Sequence, residues 1–205
     1  MAIFDVNGNN IAPESNTLFQ GKKMVCFGDS LTEENFQYTK GWHKWMQEIL
    51  GLASYSNRGQ SGATSATILN QINGYTANGE SIVTIMHGSN DTGIADATEQ
   101  SNIEAICSAV KTKFPTAIII YITPHFQTRY QVGTNTTLNI RKDVLDIAPT
   151  YAIPVYDNYQ FMGLYSSNLS IYTNDNCHWN DKGHEMVGKN LSKWVLTHFE
   201  YLYQN

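Results

Sequence analysis

Short apolar runs alternate with segments of helical periodicity along most of this chain. Five runs have the length of strands, and in chain order they read KMVCF, ASYSN, SIVTIM, AIIIYI and IPVYD. Strands that are apolar throughout, rather than at every second position, are typical of a parallel sheet covered on both faces. The pattern therefore predicts one α/β domain built on a parallel sheet of about five strands.

The segments between these runs carry apolar residues at helical spacing. Helices are predicted over 41–52, 63–72 and 99–114, and from about 138 to 147 and about 181 to 202. The first four lie between successive strands, where a parallel sheet needs its crossover connections. The first helix predicts a stripe of Trp42, Trp45, Met46 and Ile49, and the last one a stripe of Val187, Leu191, Trp194, Val195 and Phe199.

The composition excludes several classes of protein. A chain of 205 residues is long enough for one substantial core and short for two. Its net charge of −5 and the absence of a basic stripe argue against a nucleic-acid partner, whose phosphates require clustered Lys and Arg. No apolar stretch approaches the roughly 18 residues of a membrane span. The expected class is a globular enzyme or binding protein.

The ends and the cysteines give weaker indications. Residues 1–20 are rich in Asn and predict an arm or small hairpin before a domain over 21–205. The opening lacks the positive start of a secretory signal, which leaves the cytoplasm or a larger exported or surface assembly as the location. Three widely spaced cysteines supply neither a disulfide framework nor a C-x-x-C metal pair. The oligomeric state stays open.

Ser30 has two interpretations. The stretch from Ser30 to Glu33 reads S-L-T-E, which fits a capping box at the start of a helix. The same serine follows an apolar run at a sharp turn, where a nucleophile is held at the mouth of a site. Ser30 alone favours the cap, because N-cap serines are common. The rest of the chain has to decide between them.

Polar residues and glycines follow the first three predicted strands. These loops read Gly28-Asp29-Ser30, NRGQSG over 57–62, and HGSND over 87–91. Ligands of open parallel sheets bind beyond the carboxyl ends of the strands, where the winding reverses. If it reverses beside the first strand, the loops converge, and the N–H groups of Ser30 and Gly59 and the Asn90 amide form an oxyanion hole. Asp29 and Asp91 are expected to hold the turns.

A nucleophilic serine also needs a base and a group that orients the base. The loop before the last helix contains Asp175-x-x-His178, and one short turn would aim both side chains at the same mouth. A second D-x-x-H, Asp181 to His184, lies inside the predicted helix, so His184 is interpreted as a packed structural residue. With this fourth stretch, Ser30 is interpreted as the nucleophile.

The remaining histidines are weaker candidates. His43 lies on a helix between tryptophans and is interpreted as a packing or surface residue. His87 ends a strand and is interpreted as a structural residue, with a place at the mouth of the site as the alternative. His125 follows Pro124 at the end of the fourth strand and is expected to face the active end of the sheet. Cys177 adjoins His178, but neighbouring side chains in a loop usually point apart, which disfavours a Cys–His nucleophile. No pair of histidines has a metal-ligand spacing such as H-E-x-x-H.

These blocks resemble those of a GDSL-type SGNH hydrolase. FGDSLT, NRGQSG, HGSND and DNCH follow one another in the family's order, from Gly28 to His178. The resemblance implies a three-layer α/β/α fold with flavodoxin-like winding and Ser30 as nucleophile. It also implies His178 as base, Asp175 as its partner, and Gly59 and Asn90 as oxyanion donors. It implies a carboxylic ester hydrolase that needs no metal or organic cofactor.

The substrate is less constrained than the chemistry. Three covering loops, TEENFQYTKG, HFQTRYQVGTNTT and FMGLYSSNLSIYT, are rich in Tyr, Phe, Asn, Gln and Thr and poor in aliphatic residues. Aromatic, amide and hydroxyl groups suit a sugar, and no apolar trough for a long acyl chain is visible. The leading interpretation is a short-chain esterase that removes acetyl groups from a carbohydrate. The alternatives are a lysophospholipase or thioesterase of the same family, and a non-catalytic glycan-binding module.

Overall fold

The protein is a five-stranded parallel sheet enclosed between two layers of helices. The structure is a computed structural model and describes residues 18–34, 37–129 and 135–199. The strands are β1 (Lys23–Gly28), β2 (Ser54–Gly59), β3 (Ile82–Met86), β4 (Ile118–Ile122) and β5 (Val155–Tyr156). Their order in the sheet is β2-β1-β3-β4-β5, and every pairing is parallel. This is flavodoxin-like winding, as the resemblance to SGNH hydrolases implies.

Seven helices connect or follow the strands in the described part of the chain. They are α1 (Trp42–Leu50), α2 (Ser65–Gly74), α3 (Asp96–Lys113), α4 (Thr137–Ile147), α5 (Asn158–Met162), α6 (Leu169–Tyr172) and α7 (Asp181–Phe199), with a 3₁₀ turn at Ala148–Tyr151. All five predicted helices are present. The two short helices α5 and α6 were not predicted, because four or five residues are too few to show a period.

Alternate residues of the inner strands enter two separate cores. Met24 and Cys26 of β1 pack in a core with α1 and α7, whereas Val25 and Phe27 pack with α2, α3 and α4 on the other face. Residues on both faces of β1, β3 and β4 are therefore buried, which explains their unbroken apolar sequences. The three-layer α/β/α architecture is confirmed.

The edge strand β2 differs from the prediction in length and environment. It continues two residues past Asn57 to Gly59, and its side chains are half-buried or exposed. Gly59 pairs with Gly28 of β1, so the first two strands end side by side. Gly59 is therefore the last residue of an edge strand, with its backbone beside that of β1.

Helices α1 and α7 pack closely across one face of the sheet. A Cβ on Gly188 would lie 2.4 Å from Cβ of Trp45, so this glycine permits the close approach. The predicted stripe of α7, from Val187 to Phe199, is buried throughout. In α1, Trp42 and Met46 are buried as predicted, but Ile49 is 38% exposed. The buried face of α1 instead includes His43 and Leu50.

The predicted N-terminal arm lies mostly outside the described residues. Its last three residues, 18–20, are described, and Phe19 is buried in the core beside α1. The boundary at residue 20 stays a prediction, although Phe19, which it assigns to the arm, packs in the core of the domain. Among the described helices, none combines the length and the apolar character that crossing a membrane requires.

A buried ion pair joins the sheet to helix α3 beneath the carboxyl ends of the strands. Nε2 of His87, which follows β3, lies 2.6 Å from Oε1 of Glu99, and both side chains are fully buried. The hydroxyl of Ser65 donates to the other oxygen of Glu99 at 2.7 Å. Burial lowers the pKa of His87, but the charge and hydrogen bond of Glu99, together with the charges of Asp91 and Asp29, outweigh burial and raise this pKa to about 9. The pair is therefore charged at neutral pH.

Breaking this pair should destabilise the protein. Glu99→Ala leaves His87 buried without its counter-ion, and we expect the free energy of unfolding to fall by about 3–5 kcal/mol. Because the folded pKa of His87 is raised, the stabilisation is present below about pH 6.5. It is lost as the pH rises through about 9, so the difference between variant and wild type should shrink there.

Urea denaturation at several pH values measures both effects. Glu104→Ala is the matched control, since it makes the same change on the exposed face of α3. An equal loss of stability in the two variants, or a loss in Glu99→Ala that grows with pH, would contradict the account.

Candidate active site

The loops after β1, β2 and β3 meet at the carboxyl end of the sheet. Strand β1 pairs with β2 on one side and with β3 on the other, so the connection from β2 to β3 crosses back over β1. The switch in winding therefore lies between β1 and β3, where ligands bind in open α/β sheets. The side chains of Ser30, Asn90, Asp175 and His178 all line one pocket there.

Ser30 lies in a tight turn directly after β1. The Asp29 carbonyl accepts the N–H of Thr32 at 3.0 Å, and its side-chain Oδ1 accepts the N–H of Leu31 at 2.9 Å. Asp29 therefore holds the turn, as predicted. The next helix begins only at Trp42, so Ser30 is not an N-cap. Its hydroxyl is left for another partner.

That partner is His178. The Oγ of Ser30 lies 2.9 Å from Nε2 of His178, although 148 positions separate the two residues. Nδ1 of His178 lies 2.8 Å from Oδ2 of Asp175. The other oxygen of Asp175 accepts the N–H groups of His178 at 2.7 Å and of Cys177 at 3.2 Å. The Asp175-x-x-His178 turn thus fixes its own carboxylate with backbone donors.

The hydrogen bonds assign the proton on the imidazole. Burial raises the pKa of Asp175, but the hydrogen bonds from His178 and the charge of Arg129 outweigh burial and hold this pKa below its ordinary value. An ionised carboxylate only accepts hydrogen bonds, so Nδ1 of His178 carries the hydrogen. Its Nε2 then presents a lone pair to the hydroxyl of Ser30, which is the arrangement of a general base.

Asn90 brings an amide donor to the same pocket. It follows β3 in the HGSND loop, and its Nδ2 donates one hydrogen bond to the Ala63 carbonyl at 3.0 Å. This bond fixes the amide and leaves its second N–H for a ligand. The neighbouring Asp91 accepts the N–H of Ser65 at 2.7 Å and so ties this loop to the start of α2.

Gly59 does not lie where the sequence interpretation placed it. It is the last residue of β2, and its N–H donates to Oδ1 of Asn57 at 2.8 Å. A Cβ on Gly59 would lie 2.3 Å from the backbone nitrogen of Glu33, so the glycine is needed for close packing of two loops. It is not among the described residues that line the pocket.

Gly62, three residues later, lines the pocket instead. Its φ of +75° is a left-handed conformation that glycine adopts without strain. Its N–H has no acceptor among the described residues, whereas the N–H of the next residue, Ala63, donates to the Gln60 carbonyl. Gly62 therefore replaces Gly59 as the candidate backbone donor of the NRGQSG block.

The pocket itself is small and polar. Its volume is about 370 Å³. Its described lining consists of Ser30, Gln37, Ser61, Gly62, Asn90, Arg129, Asp175 and His178. None of these residues has an aliphatic side chain, and none is Phe, Tyr or Trp. We call this cavity the Ser30 pocket.

Arg129 is a pocket residue that the sequence analysis missed. Its guanidinium contacts Oδ2 of Asp175, the oxygen that also accepts from His178. Arg129 lies in the loop after β4, 46 positions before Asp175, and no motif marks it. A single arginine in a polar loop gives no signal, because only the fold brings the two loops together.

His184 has the structural role assigned to it. It is buried on α7, and its Nδ1 accepts the N–H of Trp42 at 3.3 Å. Burial lowers the pKa of His184 to about 3, so it is a neutral acceptor. Asp181 accepts the N–H and hydroxyl of Thr39 instead of orienting a base.

The other candidates also lie outside the catalytic chain. Burial raises the pKa of the Cys177 thiol to about 12, and the thiol donates to Oε1 of Gln127 at 3.1 Å. Burial lowers the pKa of His125 to about 3. His43 is fully buried and lies 3.0 Å from a carboxylate oxygen of Glu34. All three cysteines are buried and free.

Comparison with known proteins decides the family. The model of the GDSL-like Lipase/Acylhydrolase family matches residues 26–186, most of the chain. The chain belongs to this family. The predicted resemblance to GDSL-type hydrolases and the predicted enzyme class, a carboxylic ester hydrolase, are thereby confirmed. A search of curated protein sequences finds no match.

Solved structures share the fold of this GDSL family member at low identity. A protein from Lactobacillus plantarum is 18% identical, with a TM-score of 0.80 over 88% of this chain and 99% of the other. The aryl esterase of M. smegmatis is 17% identical, with a TM-score of 0.66 over 86% and 99%. A peptidoglycan O-acetylesterase is 16% identical, with a TM-score of 0.61 over 73% and 47%. These likenesses establish the fold.

The two histidines should separate activity from stability. His178→Ala removes the base, and we expect ester hydrolysis to fall by at least about 10³-fold with little change in melting temperature. His184→Ala orphans the buried N–H of Trp42, and we expect a loss of about 1–3 kcal/mol of stability with activity retained. Hydrolysis rates and thermal melts of both variants measure this. A silent His178→Ala, or an inactive but stable His184→Ala, would mean that the base is assigned wrongly.

Proposed function

We propose that this protein is a serine esterase that removes acetyl groups from a carbohydrate through an acyl-enzyme on Ser30. The observation that carries the proposal is the continuous chain of hydrogen bonds from Ser30 through His178 to Asp175, at 2.9 and 2.8 Å, opening into a small polar pocket. The three catalytic residues of this proposal are Ser30, His178 and Asp175.

Acylation begins when the Oγ of Ser30 attacks the ester carbonyl. As the new C–O bond forms, Nε2 of His178 takes the proton of the hydroxyl, and Asp175 stabilises the resulting imidazolium. The tetrahedral intermediate collapses when the bond to the alcohol oxygen breaks. His178 returns its proton to that oxygen, so the alcohol leaves neutral.

The oxyanion of the intermediate needs donors that are already in place. The N–H groups of Ser30 and Gly62 and the free N–H of the Asn90 amide supply them in this proposal. Each donor is fixed beforehand, by the turn after β1, by the glycine loop after β2 and by the bond from Asn90 to Ala63. Donors that need no reorganisation stabilise developing charge most effectively.

Deacylation uses the same residues in reverse order. A water molecule replaces the alcohol and loses its proton to Nε2 of His178 as its oxygen attacks the acyl carbonyl. The second intermediate expels the Oγ of Ser30, which receives the proton back from His178. The acid is released and the enzyme returns to its starting state. No metal or organic cofactor takes part in this proposal.

The lining of the Ser30 pocket supports a short acyl group. A long chain gains about 0.8 kcal/mol for each CH₂ that it buries, but only against apolar walls. The described lining offers hydroxyl, amide, guanidinium and imidazole groups instead. An acetyl methyl needs little apolar surface, whereas an octanoyl chain would leave this pocket and gain little.

The same lining supports a carbohydrate as the leaving alcohol. Gln37 and Ser61 border the pocket beside the catalytic residues, and their amide and hydroxyl groups match the hydroxyls of a sugar. That a peptidoglycan O-acetylesterase shares the fold is consistent with this substrate class. A lysophospholipase or thioesterase is the alternative within the family, and it would require apolar walls that the described lining lacks.

A panel of esters tests the proposal. We expect kcat/KM to be highest for acetyl esters and to fall by the hexanoyl ester, because the described lining of the pocket offers added CH₂ groups little apolar contact. Acetylated oligosaccharides should exceed simple alkyl acetates, since contacts to the sugar help to orient the ester. Initial rates on acetyl, butyryl, hexanoyl and octanoyl esters of one alcohol, beside the acetylated sugars, measure both preferences.

Ser30→Ala is the control for the panel, because its residual rate measures background hydrolysis. Rates that climb steadily with chain length would reject the carbohydrate proposal and favour the lysophospholipase or thioesterase alternative. A wild-type protein that binds the oligosaccharides but hydrolyses no ester would favour the glycan-binding alternative.

A further inference from the structure

We propose that Arg129 is a positioning residue of the active site, which holds the carboxylate of Asp175 and limits how readily His178 is protonated. The inference rests on the proposed function, because it concerns the same base. It adds a fourth member to the chain of Ser30, His178 and Asp175, contributed by a loop that none of the four sequence blocks contains.

The two oxygens of the Asp175 carboxylate have different partners. Oδ1 accepts the backbone N–H groups of Cys177 and His178. Oδ2 accepts both the imidazole of His178 and the guanidinium of Arg129. The backbone donors fix one end of the carboxylate, and Arg129 sets the orientation and charge of the oxygen that faces the base.

The loop that carries Arg129 is itself fastened to the Asp175-x-x-His178 turn. The N–H of Thr128 donates to the Asn176 carbonyl at 3.3 Å. Gln127, which is 3% exposed, accepts the Cys177 thiol at 3.1 Å and donates to the Arg129 carbonyl at 3.2 Å. These contacts run along the whole turn, so Arg129 is held at Asp175 by its neighbours as well as by charge.

The charge of Arg129 opposes that of Asp175 at the imidazole. The negative carboxylate favours protonation of His178, and a positive guanidinium on the same oxygen offsets part of that effect. At 44% exposure the Arg129 side chain is partly screened by solvent, so the effect is moderate.

Other titratable groups around His178 do not supply this charge. His125 and Cys177 pack nearby, but burial lowers the pKa of His125 to about 3 and raises that of Cys177 to about 12, so both are neutral near pH 7. Asp29 precedes Ser30, and burial raises the pKa of its carboxyl to about 7. These groups are common to wild type and variant, so their contributions cancel in the comparison.

Substitution of Arg129 tests the inference through the acid limb of the pH profile. Without the guanidinium, His178 should be protonated at higher pH, and we expect the acid limb of kcat/KM for Arg129→Gln to move up by about half a pH unit. Arg129→Lys keeps the charge and should keep the wild-type limb. At the plateau, kcat of Arg129→Gln should fall about threefold to fivefold at unchanged KM, because Asp175 is less well positioned.

A second readout needs no turnover. Titration of the His178 imidazole by NMR in the substrate-free protein should show the same upward move in Arg129→Gln and none in Arg129→Lys. Arg58→Gln is the matched control. Arg58 lies on strand β2 with its guanidinium over the ring of Tyr75, so its substitution should change neither the pH profile nor the NMR titration. Melting curves of all variants exclude a general loss of structure.

Three results would overturn the inference. If the acid limb of kcat/KM does not move in Arg129→Gln, the charge of Arg129 has no effect on His178. If the limb moves equally in Arg129→Gln and Arg129→Lys, the effect does not depend on charge. A change confined to KM would make Arg129 a substrate contact instead of a positioning residue. A wild-type protein without esterase activity would reject the proposed function, whereas the NMR titration would still decide the role of Arg129.

Discussion

The hydrogen bond between Ser30 and His178 is the interaction on which the interpretation of this structure depends. It joins the turn after the first strand to the turn before the last helix, 148 residues apart, at 2.9 Å. Neither turn has chemistry of its own. The parallel sheet brings Ser30 to its carboxyl edge, and the packing of α7 against α1 returns the other turn to that edge. The fold thus serves mainly to hold a serine and an imidazole in contact.

Much of the molecule beneath this contact serves to keep the loops in place. Asp29 closes the turn of Ser30, Asp91 ties the Asn90 loop to α2, and Gly59 lets the first two loops pack backbone to backbone. The buried pair of His87 and Glu99 fastens the end of β3 to helix α3. These buried contacts hold the loops that carry Ser30 and Asn90, two residues of the Ser30 pocket.

The sequence predicts the architecture well because its evidence is local. Apolar strands, helical periods and the four short blocks each lie within a few consecutive residues, and Ser30, Asn90, Asp175 and His178 were found from them. Gly59 was misassigned because β2 continues past Asn57, which directs the Gly59 N–H to a side chain. Only backbone conformation shows that Gly62 faces the pocket. The contacts of Arg129 with Asp175 and of Glu99 with Ser65 join residues distant in sequence, and no local pattern marks such pairs.

Covalent labelling of the nucleophile tests the central claim most directly. A fluorophosphonate reacts with a serine activated by a neighbouring base, and intact-mass measurement with peptide mapping locates the adduct. We expect one adduct on Ser30 in the wild type, none in Ser30→Ala, and far slower labelling in His178→Ala. Ser61→Ala, which removes the second serine of the described lining, should still be labelled at Ser30. An adduct on a different residue, or full labelling of Ser30→Ala, would contradict the assignment of Ser30 as nucleophile.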